Sequence, residues 1–290
     1  MLGPLRAVIL DNDETTGSYI LLFSMMKALN KNGDIDLDFF TYIIERLADW
    51  MVSNSIFRPN LLPFLTLLMN LRNEGKIDAI IMYTNQLEVE PIINHSMPRC
   101  INHMFTYLVP GFSFDHILTR PNDPARINNV FPKQFKRVLD LYPGRPLNTK
   151  QMLFFDDLAV PIYIKTDGIE PKYTSRRSYV LVDPYKPYLN SEDISACVKF
   201  CLKNLVDLEY FTPIVSKYYV DNMHKDCTAI LKSEDFSYFM KLVKWKYHSD
   251  GASKTNTGAS TGEFTNLKED FSPGDQSGRS VILGTEQGVQ

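Results

Sequence analysis

Five short runs of the chain are apolar in near-continuous blocks rather than at every second position: AVIL (7–10), AIIMY (79–83), FDHIL (114–118), MLFF (152–155) and YVLV (179–182). Strands buried on both faces read this way, because a parallel sheet covered by helices leaves no solvent face for polar residues. Between most of these runs the pattern changes to helical spacing. The clearest case is RPNLLPFLTLLMNLRNEGK (58–76), which ends at Gly75, the residue type best suited to a left-handed helix C-cap. A strand, a helix and a strand in that order imply right-handed crossovers, so the expected fold is α/β with a Rossmann-like, doubly wound parallel sheet.

Residues 18–56 interrupt the pattern after the first strand. They predict a short insertion of two helices, about 19–30 and 37–53, divided by NKNGD. Such a pair could cover a site at the end of strand one. After the last strand, residues 184–248 predict a helical extension packed on the core, with three helices over 191–247. Thr212 and Pro213 suit the N-cap and N1 positions of the second. From about 249 the chain is rich in Gly, Ser and Thr and nearly free of aromatics, which predicts a disordered tail to 290.

The totals narrow the function classes. A chain of 290 residues, 44% hydrophobic and 22% charged, has globular composition and enough length for a sizeable core. Its formal net charge of -3 gives no global reason to expect nucleic acid or an anionic membrane as partner. The opening MLGPLRAVILDND has too short an apolar run for a signal peptide or a membrane span, so the expected location is intracellular, cytoplasmic or nuclear. Cys100, Cys197, Cys201 and Cys227 show no paired CxxC spacing and suit reduced, buried thiols. His95, Cys100 and His103 make a metal-like cluster that lacks a fourth ligand for zinc.

Four pieces carry chemistry. Asp11-Asn12-Asp13-Glu14-Thr15 follows the first strand directly, and the carboxyl end of a strand is where open α/β sheets bind ligands. Thr84 and Asn85 follow AIIMY, where a hydroxyl and backbone amides can donate to phosphoryl oxygens without adding negative charge. A phosphoryl group in transfer also needs a cation. Lys133 is the first choice, with Lys136 and Arg120 as rivals. Asp156 and Asp157 follow MLFF, and adjacent acids there ask for a positive partner, for which Mg²⁺ with hard oxygen ligands is economical.

In this order VILDNDETT, IIMYTN, a lysine before a strand, and MLFFDDLA resemble the four motifs of the haloacid dehalogenase superfamily of phosphatases. The resemblance spans roughly residues 7–183. It is nearest to the branch that includes the polymerase C-terminal-domain phosphatases and the magnesium-dependent phosphatase-1 type. It implies a catalytic domain over 1–183 and a two-step phosphoryl transfer. Asp11 is then the nucleophile and Asp13 the general acid and base. Thr84, Asn85 and Lys133 hold the phosphoryl group. Mg²⁺ is held by the Asp11 carboxylate, the Asp13 carbonyl, and Asp156 and Asp157.

The implied partner is a phosphorylated substrate. The short insertion, carrying Tyr19, Phe23, Phe39, Phe40 and Tyr42, favours an open cleft and a phosphoprotein over a lidded pocket. A small-molecule or nucleotide phosphatase of this fold, and a catalytically inactive interaction protein on it, are the alternatives. A receiver domain also collects Asp, Thr and Lys around Mg²⁺. Its phospho-acceptor lies on a later strand than its acidic pair, the reverse of the order here.

Overall fold

The computed structural model describes residues 3–31, 36–87, 96–120, 133, 135–146, 151–157, 163–164, 172–173, 179–202, 208–222 and 236–248. The elements run β1 (Ala7–Leu10), α1 (Ile20–Lys31), α2 (Leu37–Ser53), α3 (Leu61–Asn73), β2 (Ala79–Leu87), α4 (Met97–Leu108) and β3 (His116–Arg120). They continue α5 (Phe135–Asp140), β4 (Met152–Asp156), β5 (Tyr163–Ile164), β6 (Lys172–Tyr173), β7 (Tyr179–Leu181), α6 (Ser191–Leu202), α7 (Leu208–Asn222) and α8 (Phe236–His248). Five strands form one parallel sheet in the order β3-β2-β1-β4-β7, and β5 pairs antiparallel with β6. The tail and Cys227 lie outside the described residues.

The near-continuous apolar runs are explained by the two faces they serve. Val8, Leu10, Ile80, Met82, Leu153 and Phe155 join one buried cluster, while Ala7, Ile9, Ala79, Ile81, Met152 and Phe154 join another. Alternate residues of a strand point to opposite faces, so a strand covered on both needs an apolar residue everywhere. On the first face the helical layer is broad: α1 packs on α7, α2 on α4 and α6, and α3 on α8. On the second, α5 contributes Val138.

The insertion helices therefore share a layer with the C-terminal helices. Tyr19 and Phe40 are buried in that core, Phe39 packs against it, and Tyr42 is exposed. Gly17 marks where the insertion leaves and returns, bridging antiparallel to Phe57. A Cβ there would sit 3.0 Å from the Ile56 carbonyl oxygen, so the close approach favours glycine.

The last helix is fastened to the sheet by both rings and hydrogen bonds. Phe236 stacks on Phe64 at 4.5 Å between centroids, and Phe239 meets Phe155 edge-on at 5.3 Å. The Tyr247 hydroxyl donates towards the carbonyls of Ala7 (3.0 Å) and Gln151 (3.1 Å), at the amino ends of β1 and β4.

Some expected boundaries move. Gly75 does take a positive φ of 67° after α3. The second strand runs on to Leu87, so Thr84 and Asn85 lie inside it, at a register shift against β3 between Tyr83 and Leu87. The third strand begins at His116, not Phe114, because Asp115 accepts the Ile80 amide with its carboxylate at 2.7 Å before the ladder starts. α5 begins at Phe135, so Lys133 precedes the helix rather than opening it. Most plainly, Thr212 and Pro213 do not start α7, which begins at Leu208 with Pro213 inside. Phe211, Val215 and Tyr219 are buried four residues apart, and this apolar stripe carries the helix past the one amide that proline lacks.

A candidate active site at the carboxyl edge of the sheet

The chain runs from β1 to β2 and β3 on one side, then returns to place β4 on the other side of β1. A crevice opens at such a reversal, beyond the carboxyl ends of the strands that flank it. Register decides what lies there. Leu10 pairs with Phe155, and the Asp11 amide donates to the Phe155 carbonyl at 2.9 Å, so Asp11 and Asp156 emerge side by side.

Between them lies Lys133. Its Nζ is 2.6 Å from Asp11 Oδ1 and 2.7 Å from Asp156 Oδ2, and all three side chains are nearly excluded from water. Burial by itself would lower the lysine's pKa, but the two carboxylates outweigh it and hold the ammonium above its ordinary value. Lys136 pairs with Asp140 on the surface at 2.9 Å, one turn along α5, and Arg120 ends β3. Asp157 is half-buried and accepts from the Thr15 hydroxyl at 3.3 Å.

The acids outnumber the cation. Burial pushes the Asp11 carboxyl up to about 7 against the pull of Lys133, with Asp157 and Asp13 adding repulsion. Asp157 is pushed up to about 6 by burial and then by Asp156 and Glu14. Carboxylate oxygens of Asp11, Asp156 and Asp157 can be chosen within 4.8 Å of one another. Such a group of hard oxygen donors could hold a metal ion.

Asp13 stands on a separate branch of the site. Its Oδ2 accepts from the Gln86 side-chain amide at 2.7 Å. Thr84 is buried, and its Oγ accepts the Gln86 backbone N–H at 3.1 Å, which leaves the hydroxyl proton available to donate. Asn85 is half-buried at the same strand end. The His95, Cys100, His103 cluster gains no support among the described residues. Cys100 is buried, its thiol pushed up to about 12, while His103 Nε2 faces Glu45 at 3.2 Å. His95 lies outside the described residues.

Three contributors were not singled out from the sequence. Arg58 is a buried arginine whose Nε donates to the Thr15 carbonyl at 2.7 Å and whose Nη2 donates to the carbonyls of Glu14 (2.8 Å) and Asp183. It fixes the loop after Asp11, in which Glu14 has a φ of 59°, a conformation unfavourable for a side chain with a Cβ. Tyr179 lies against Asp156, and burial raises its phenol before the nearby carboxylates add to the effect. Gln86 is the third. Only residue identity at a strand end or beside a proline marked them, and that signal is common.

No family model, curated protein or solved structure matches the chain. No helix among the described residues is long and apolar enough to cross a membrane.

Proposed function

We propose that this chain is a Mg²⁺-dependent phosphohydrolase of the haloacid dehalogenase type that works through a phosphorylated Asp11. The observation that carries this is Lys133 wedged between Asp11 and Asp156 at the reversal of strand order. A buried carboxylate at a strand end, held by an ammonium and flanked by further acids, is arranged as a nucleophile for a centre that itself carries negative charge.

The carboxylates of Asp11, Asp156 and Asp157, with the Asp13 carbonyl, would hold Mg²⁺. When bound, the ion supplies positive charge that offsets repulsion between an anionic nucleophile and a phosphate ester. The protein's own groups do the rest. Lys133 orients Asp11 and favours its ionised form against burial, and it presents its charge to the phosphoryl oxygens. The Thr84 hydroxyl donates to another of those oxygens. One Asp11 oxygen forms the new bond to phosphorus as the bond to the leaving oxygen breaks, and Asp13 gives that oxygen a proton. Asp13 then takes a proton from the water that attacks phosphorus, and the electron pair of the aspartyl bond returns to Asp11.

The insertion helices are occupied in packing on α4, α6 and α7, which supports a cleft open to a phosphorylated protein rather than a closed pocket. Hydrolysis of p-nitrophenyl phosphate with and without Mg²⁺ tests the assignment. Turnover that requires the metal is expected. A folded, metal-loaded protein without turnover on any phosphate ester would instead be an interaction protein on this fold.

A further inference from the structure

The register shift in β2 has a chemical consequence. Between Tyr83 and Leu87 the register against β3 shifts, and bulges re-aim side chains beside active sites. Here the Gln86 backbone amide turns back on the Thr84 hydroxyl at 3.1 Å, and the Gln86 side chain reaches across to Asp13 Oδ2 at 2.7 Å. An ionised carboxylate only accepts hydrogen bonds, so it is the NH₂ end of the glutamine that faces it. The other end, Oε1, is buried with no hydrogen-bond partner among the described residues, so the contact to Asp13 is the bond that orients this side chain.

We infer that Gln86 is a positioning residue for the general acid, holding the Asp13 carboxyl in the orientation from which it delivers its proton to the leaving group. This rests on the phosphohydrolase reading above. With Oδ2 engaged by an N–H, rotation of the carboxyl about its bond is restrained. In the first step the proton leaves Asp13 for the leaving oxygen as that oxygen takes the electron pair of its bond to phosphorus. The carboxylate that remains accepts the Gln86 N–H more strongly than the neutral acid did, because hydrogen bonds to charged acceptors are the stronger ones. Gln86 thus favours the transition state in which charge is appearing on Asp13, and it does so without touching the substrate.

The consequence is selective. Help from a general acid matters for a basic leaving oxygen and little for an activated one. The test compares kcat/KM on phenyl phosphate and p-nitrophenyl phosphate, two esters of similar shape, for the full chain with Mg²⁺. The proteins are wild type, Gln86→Met, Gln86→Asn, Asp13→Asn and the Asp13→Asn/Gln86→Met double variant, each with its melting temperature. Both Gln86 variants are expected to lose about 10-fold to 100-fold on phenyl phosphate, a fraction of the full general-acid effect, and less than about 3-fold on the nitrophenyl ester. In the Asp13→Asn background Gln86→Met should change neither ester further, the non-additivity of groups that act as one unit. Equal losses on both esters, losses that multiply with Asp13→Asn, or losses that follow a lowered melting temperature overturn the inference. Wild-type protein inert towards both esters overturns the phosphohydrolase reading itself, and this inference with it.

Discussion

The Lys133 ammonium lies 2.6 Å from Oδ1 of Asp11, with both side chains almost wholly buried. A pair this deep contributes little net stability, because the cost of desolvating two charges rivals their attraction, but breaking it strands a charge. Its value is in orienting Asp11 and opposing the protonation that burial promotes.

Lys133→Met should therefore lower kcat by roughly 10²-fold to 10³-fold, the range for removing one preorganised donor to developing charge. Lys136→Met, which breaks only an exposed pair with Asp140, should leave kcat within about 2-fold, as such pairs contribute little. Steady-state kinetics on the two variants decides between the lysines. A reversed order would move the phosphate-binding role to Lys136.

The crowding of acids gives a dependence of stability on pH. Asp11 is pushed up to about 7 and Asp157 to about 6, both above the ordinary 3.8. Between pH 4 and 7 the folded state then holds more protons than the unfolded one, so stability falls as pH rises through that window in the absence of metal. Mg²⁺ should remove much of this fall, since it binds the deprotonated acids. At 100 times its dissociation constant it adds about 2.7 kcal/mol, or roughly 5–10 °C in Tm for a chain of this size. Thermal melts from pH 5 to 7.5, with EDTA and with Mg²⁺, check the sign. A Tm that rises with pH in EDTA would contradict it.

Arg58 supplies a structural test of the same loop. Arg58→Met removes the donors to the carbonyls of Glu14, Thr15 and Asp183 in a buried setting. The cost should be roughly 3 kcal/mol or more, since each stranded acceptor costs about 1–3 kcal/mol. Urea unfolding measures it, and a change below about 1 kcal/mol would show that the loop holds itself.

The chain's last helix and its tail should separate cleanly in truncations. Ending the chain at 249 should leave Tm and p-nitrophenyl phosphate hydrolysis nearly unchanged, because the removed sequence has few apolar residues to bury. Ending it at 235 strips Phe236, Phe239 and Tyr247 from the core and should prevent stable folding. Equal stability of the two truncated proteins would contradict the docking of α8.

How much of this was legible in the sequence depended on the kind of signal. Apolar runs named five strands: burial on both faces marks every residue of β1 and β4, and the partly covered edge strands β3 and β7 still carry enough of the pattern. α2 was expected at 37–53, and Asp36, whose carboxylate accepts the Phe39 amide at 2.8 Å, caps it there. Asp11 and the Asp156/Asp157 pair could be assigned to one site in advance, since acids at strand ends ask for a shared positive partner, but which of the two stands beside Asp11 was settled only by the register of β1 on β4. Lys133 could not be separated from Lys136 or Arg120, as that choice depends on which side chain the approach to α5 turns inward. Pro213 misled, because a local preference for the first turn lost to the stripe of Phe211, Val215 and Tyr219. Arg58 and Gln86 were invisible, because their partners lie 43 and 73 residues away in the chain and are mostly backbone carbonyls or a single carboxylate.

The central claim is that Asp11 is the nucleophile, and Asp11→Asn tests it most directly. The amide is nearly isosteric with the acid and a far poorer nucleophile. Turnover of p-nitrophenyl phosphate with Mg²⁺ should fall to background in a variant whose circular dichroism and gel-filtration profile match wild type. Hydrolysis at the wild-type rate in that folded variant would contradict the account.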